Sequence, residues 1–225
     1  MLSFKSTLVV AAVSFVSAVS ASSFGEHMSE HFARGTMAQT AVTNGDLAMA
    51  RVNAGWLVEH PPVKGIPDDA DKPMRAAARA VLEATEISAA AAGVGQIGAA
   101  CGTCHLSQGV NPGIDSVVDM EYGVSLAARM ARHQWGVDRM WEGLVNPSNS
   151  LWLEGAEALL ESPLTGSGGA DETGHLIDAL GSEVFELAIQ ARKTTGQVDR
   201  GSLYGQLLTT CAVCHGVIRD SGSQE

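Results

Sequence analysis

Along the chain, the apolar positions recur with helical rather than strand periodicity. Phe24, Met28, His31, Gly35, Ala38 and Val42 are spaced four, three, four, three and four residues apart, which places them on one face of an α-helix. Leu126, Met130, His133, Val137, Met140 and Leu144 repeat that spacing, each 102 residues later. Each segment runs into a turn signal, Asn44-Gly45-Asp46 and Asn146-Pro147-Ser148. A second helix is expected after each turn, over Leu47 to Val58 and Leu151 to Leu160, stopped by Pro61-Pro62 and by the Gly/Ser-rich stretch Thr165 to Gly169. A third is expected to begin near Asp69 or Asp71 with Pro73 in its first turn, and its counterpart to run from about Asp171 to Arg192. Ser88 and Asp199 suit the N-caps of a fourth pair. Leu106 to Ser116, with two glycines and Pro112, reads as a linker. The pattern predicts an all-α chain built as two tandem four-helix bundles.

Composition agrees. Of 225 residues, 45% are apolar, enough for real cores. Aromatic residues make up only 5% while alanine and glycine abound, which favours close-packed helices over sheets. At the N-terminus, Lys5, the apolar run Leu8 to Val19 and the small residues Val19-Ser20-Ala21 read as a secretory signal over residues 1–21. The run falls short of the roughly 20 residues that span a bilayer. No later segment reads as long and apolar enough to span one, so the mature chain is expected to be soluble and periplasmic. The formal charge of −11 becomes more negative once Lys5 is removed. Such a chain is a poor nucleic-acid binder and is steered towards partners with basic surfaces.

All four cysteines fall in two copies of one motif, Cys101-Gly102-Thr103-Cys104-His105 and Cys211-Ala212-Val213-Cys214-His215. Thiols at i and i+3 share a helical face. The following histidine then sits where it can bind a metal, which is the signature of covalent haem c attachment. A thioredoxin-like motif would want a βαβ setting that neither copy has. A four-cysteine zinc site usually draws its ligand pairs from nearby sequence, whereas these lie 110 residues apart. Gly93-Val94-Gly95-Gln96-Ile97-Gly98 fits a dinucleotide-binding fingerprint, but that fingerprint follows a strand. Here it follows the Ser/Ala-rich, helical Ile87 to Ala92. These glycines are expected to let a flat macrocycle approach a helix, at about 1 kcal/mol each in helix propensity.

With the motif late in each four-helix unit, the chain resembles the class II c-type cytochromes, the cytochrome c′ group, whose four-helix bundles carry CxxCH near the end of the fourth helix. The resemblance covers nearly all of the chain beyond residue 21, twice over, as bundles over 22–112 and 113–225. It implies two covalently bound haem c groups, held by thioethers to Cys101, Cys104, Cys211 and Cys214, with His105 and His215 as proximal iron ligands. An arginine often stands four residues after that histidine in the group; Arg219 matches and Gly109 does not, so the two haem edges are expected to differ in shielding. The group usually carries one haem per chain. A fused pair is expected either to pack bundle on bundle or to form a homo-oligomer.

The resemblance leaves the distal side open. In cytochrome c′ proper an apolar side chain covers the iron, and in low-spin relatives a methionine of the first helix binds it. Met28 and Met130 hold similar places, and His31 and His133 compete from one turn further along the same face. A buried imidazole needs a polar partner, which could be iron, a propionate or a carbonyl. His60 and His175 read as surface residues, Trp56, Trp135, Trp141 and Trp152 as packing groups, and Arg51 and Arg139 as residues that could reach propionates. The function implied is electron transfer between redox proteins rather than catalysis. The alternatives are a gas-binding cytochrome with a five-coordinate haem and a dihaem peroxidase-like enzyme, for which no acid/base constellation stands out.

Overall fold

In the computed structural model, which describes residues 24–62, 66–67, 69–113, 123, 125–164 and 169–222, the chain is all-helical, with eight helices and no strand among those residues. The expected leader, residues 114–116 of the expected linker and residues 165–168 of the expected Gly/Ser-rich stop lie outside them. The helices are α1 Phe24–Thr43, α2 Leu47–Glu59, α3 Lys72–Glu83, α4 Ile87–Gln108, α5 Leu126–Val145, α6 Asn149–Glu161, α7 Glu172–Ala191 and α8 Gln197–Gly222.

Local chemistry sets the ends. After α1, Gly45 takes φ +70°, and the amides of Gly45 and Asp46 return to the carbonyls of Val42 and Ala41, closing a Schellman turn that only a left-handed residue permits. Asp46 then caps α2 by accepting from the Met49 amide at 2.9 Å. After α5, Pro147 has no amide to give, and the amides on either side of it, Asn146 and Ser148, reach back to Glu142 and Gly143. Ser148 caps α6 through Leu151, Asp71 precedes α3 with Pro73 in its first turn, and Asp171 caps α7 through Gly174. The fourth pair begins slightly earlier than read, at Ile87 and Gln197 rather than Ser88 and Asp199. α4 itself runs through Leu106 to Gln108, so the expected linker is partly helix, and it stops where Gly109 adopts φ +63°.

α1 packs on α2, α2 on α3 and α3 on α4; α5 packs on α6, α6 on α7 and α7 on α8. The two series meet chiefly along α4 and α8, with α1 also against α8 and α5 against α4. One continuous apolar core joins them, including Val42, Leu57, Val94, Ile97, Met140, Trp141, Leu144, Trp152, Leu207 and Leu208.

Two expectations change here. The glycines of α4 face other helices: Gly95 abuts the main chain of Gly201 and Gly205 on α8, and Gly98 faces Leu144 and Trp141 on α5. Their smallness serves helix contact rather than the approach of a macrocycle. In addition, α4 is by length and composition apolar enough to cross a membrane. Half of its apolar window is buried within the fold, against α3 and α8, as its alanine and glycine content favours.

Candidate functional site

The last helical carbonyls of α1 and α5 are among the acceptors that a helix end leaves without an internal partner. Both are taken up by histidines from the opposite series. His105 Nδ1 lies 2.8 Å from the Val145 carbonyl, and His215 Nδ1 lies 2.8 Å from the Thr43 carbonyl. Thr43 and Val145 are 102 residues apart, the repeat offset, so the arrangement is reciprocal. A carbonyl only accepts, so each Nδ1 carries the proton and donates it, and each Nε2 is left as the nitrogen able to bind a metal. Arg219 donates to the carbonyl of Asn44 at 2.8 Å, one residue beyond the His215 anchor.

The four cysteines are free thiols, two on α4 and two on α8. Burial pushes Cys101 up to about 12, with Cys104 adding to it. Burial likewise pushes Cys211 up to about 12, with Cys214 adding to it. Cys104 and Cys214 also rise, through burial first. Upward shifts of this kind are the opposite of the lowered values that activate thiols for disulfide exchange.

The first motif opens onto a cavity of about 680 Å³, within the roughly 300–1,000 Å³ range of cofactor sites. Cys101, Cys104 and His105 line one wall, Met28, His31 and Phe32 another, and Trp141 and Val145 reach in from α5. Trp141 is fixed by its indole N–H, which donates to the Thr36 hydroxyl at 3.0 Å. The volume and the donor set fit the thioether-linked macrocycle expected from the motif. Cys211, Cys214 and His215 line a cavity of only about 40 Å³, together with Met130, His133, Leu164, Leu180 and Val184. There the donors fit and the space does not; a macrocycle would have to displace the apolar wall formed by Leu164 and α7.

The competing distal residues part company. His133, 6% exposed, lies with Nε2 2.6 Å from the Ser162 carbonyl, a satisfied core histidine. His31 Nε2 is buried with no hydrogen-bond partner. Met28 and Met130 each line the cavity of their own series. Arg51 donates to the Leu82 carbonyl, and Arg139 pairs with Glu142 and Glu154, so both are committed within the protein.

His175 is exposed as expected, but His60 is not a free surface residue. Its ring stacks on Trp56 at 3.9 Å and packs against His27 and His31, because α2 ends beside the start of α1. The four-residue spacing of His27 and His31 was the available signal for this cluster. The anchoring carbonyls of Thr43 and Val145 had none, since any residue supplies one. No family model matches the chain, and neither a curated protein nor a solved structure matches it.

Proposed function

We propose that the chain is a tandem dihaem c-type cytochrome, two four-helix bundles that carry electrons between redox proteins outside the cytoplasm. The observation that carries this reading is the first site: two thiols one turn apart on α4, at the wall of a cavity of about 680 Å³, beside a histidine whose Nδ1 is engaged by a carbonyl. Haem bound there would supply a reversible one-electron couple. Cys101 and Cys104 would hold it, His105 would bind its iron through Nε2, and Val145 would fix the ring and keep the proton on Nδ1. The same histidine geometry at His215 supports a second attachment on α8, with the wall of Leu164, Leu180 and Val184 moved aside. On the distal side, Met130 is favoured over His133, because both line the second cavity and His133 Nε2 is already bonded; Met28 and His31 both line the first cavity, and Met28 is favoured there as the counterpart of Met130 at the repeat offset.

Expression in a host with haem c maturation tests the proposal. The intact mass should exceed the apo-chain by two haems, falling to one in a Cys101→Ser/Cys104→Ser chain. Optical and EPR spectra should report low-spin iron with methionine ligation and no response to carbon monoxide. A chain without covalent haem refutes the proposal. A high-spin haem that binds carbon monoxide replaces electron transfer with gas binding, and turnover of hydrogen peroxide would revive the peroxidase-like reading.

A further inference from the structure

Three histidines converge at the edge of the first cavity, which His27 and His31 line and His60 does not. His27 and His31 stand four residues apart on α1, one above the other. His60 closes the third side from the end of α2. Ring centroids are 4.4 Å apart for His27 and His31, 4.6 Å for His27 and His60, and 5.3 Å for His31 and His60. Their ligand nitrogens lie within 4.8 Å of one another. His27 is only 6% exposed, and Nε2 of both His27 and His31 is buried without a hydrogen-bond partner. Leaving a buried polar atom unpaired costs roughly 1–3 kcal/mol, so two on neighbouring rings call for a ligand.

The place of His60 is fixed by its neighbours. Trp56 stacks on its ring at 3.9 Å. Its carbonyl accepts from Arg75 Nη2 at 2.6 Å, while Arg75 is itself fixed by Asp71 at 2.6 Å and by the Val58 carbonyl at 2.7 Å. Pro61 keeps the backbone of His60 extended, at ψ 133°. The Glu30 carboxylate stands 3.8 Å from His60 Nε2.

We infer that His27, His31 and His60 form a site for a divalent transition ion of borderline softness, Zn²⁺ or Cu²⁺, with Glu30 or water as the fourth ligand. Three imidazole nitrogens and one oxygen suit either ion. Metal–nitrogen bonds of about 2.0–2.1 Å set tetrahedral ligands roughly 3.4 Å apart, so the rings need to close by about an ångström, within reach of side-chain rotation. The site belongs to the first series alone. At the repeat offset its members become Arg129, His133 and Ser162, and there His133 spends Nε2 on the Ser162 carbonyl. The inference goes beyond the electron-transfer reading and needs only that His31 is not on the iron.

The test uses the full-length holo-protein, stripped with chelator and titrated with Zn²⁺ by calorimetry, and separately with Cu²⁺ followed by EPR. One equivalent per chain is expected, with nitrogen hyperfine structure on the copper signal. His60→Asn, which keeps much of the side-chain bulk, and His27→Ala should each weaken binding by more than the roughly 10–100-fold that loss of an outer-shell partner costs. His60 does not line the cavity, so His60→Asn should leave the haem content and spectrum unchanged. Absence of stoichiometric binding, or binding indifferent to both variants, overturns the inference. So does a His31→Ala chain that changes the spin state of the iron while keeping the metal. Haem attachment is read from intact mass alone, so its failure is distinguishable from failure of the histidine site.

Discussion

Replacing Gly95 with alanine tests the contact on which the two helix series depend. A Cβ at this position would fall on the carbonyl oxygen of Gly201, with the Gly205 nitrogen at 3.0 Å and the Gly201 carbonyl carbon at 3.1 Å. All three are main-chain atoms of α8, so no rotamer change relieves the clash and the helix must shift as a body. Alanine gains up to about 1 kcal/mol in helix propensity. Overpacking of this kind costs about 1–3 kcal/mol, so a net loss of up to about 2 kcal/mol is expected. For a chain of this size each kcal/mol moves Tm by about 2–4 °C. Gly55→Ala is the matched control. It lies within α2, and the nearest atom its Cβ would meet is Leu82 Cδ1 at an ordinary 3.5 Å, so only the propensity gain remains and Tm should rise. Thermal unfolding of the two holo-variants, followed by far-ultraviolet circular dichroism beside the parent, is the assay. If Gly95→Ala stabilises the chain as much as Gly55→Ala does, the close crossing of α4 and α8 is refuted.

Asp46→Ala removes the α2 cap and should cost about 1 kcal/mol in urea unfolding, with faster hydrogen exchange at the first amides of the helix. Tyr204→Phe deletes the fully buried hydroxyl that donates to the Val137 carbonyl at 3.0 Å; about 1 kcal/mol of lost stability is expected by the same measurement. Burial, with Glu142 adding, pushes the Asp138 carboxyl up from 3.8 to about 6, against a hydrogen bond from Gln134. The folded chain therefore keeps a proton that the unfolded chain releases, so the stability this group adds is present below about pH 3.8 and lost as pH rises through about 6. Asp138→Asn should accordingly raise Tm at pH 7 and leave it unchanged at pH 3.5, a pattern that melts at the two pH values check directly.

The helices were legible because their chemistry is local. The face from Phe24 to Val42, its copy at Leu126 to Leu144, the cap at Asp46 and the proline at the start of α3 each depend on residues within a turn or two of one another. Even there the pattern overreached at the outer turns, since Phe24 and Leu126 are about half exposed. The site was legible only on its own helix. The motifs fixed where Cys101, Cys104 and His105 lie on α4, but not that a carbonyl of α5 would meet His105, because a main-chain acceptor leaves no trace in residue identity. Repetition also misled. His31 and His133 occupy equivalent places, yet one is left unpartnered among histidines and the other is closed off by Ser162, a difference decided by the residues just beyond the ends of α2 and α6. The glycines before Cys101 carried a real signal, smallness on one face, and only the packing of α8 reveals what they make room for.

The exchange of carbonyls between the two series has a consequence for how the chain can be divided. Thr43 serves His215 and Val145 serves His105, a self-complementary pattern of the sort that relates the partners of a two-fold dimer. Neither half is finished without its sibling. A chain cut between α4 and α5 should yield fragments in which His105 and His215 are unanchored when alone and recover their tautomer only on mixing, so that, on the proposed reading, haem loading of one half would become a measure of the presence of the other. During synthesis the first histidine has to wait for α5 before it is held, which makes the order of assembly a property of the whole chain rather than of either motif.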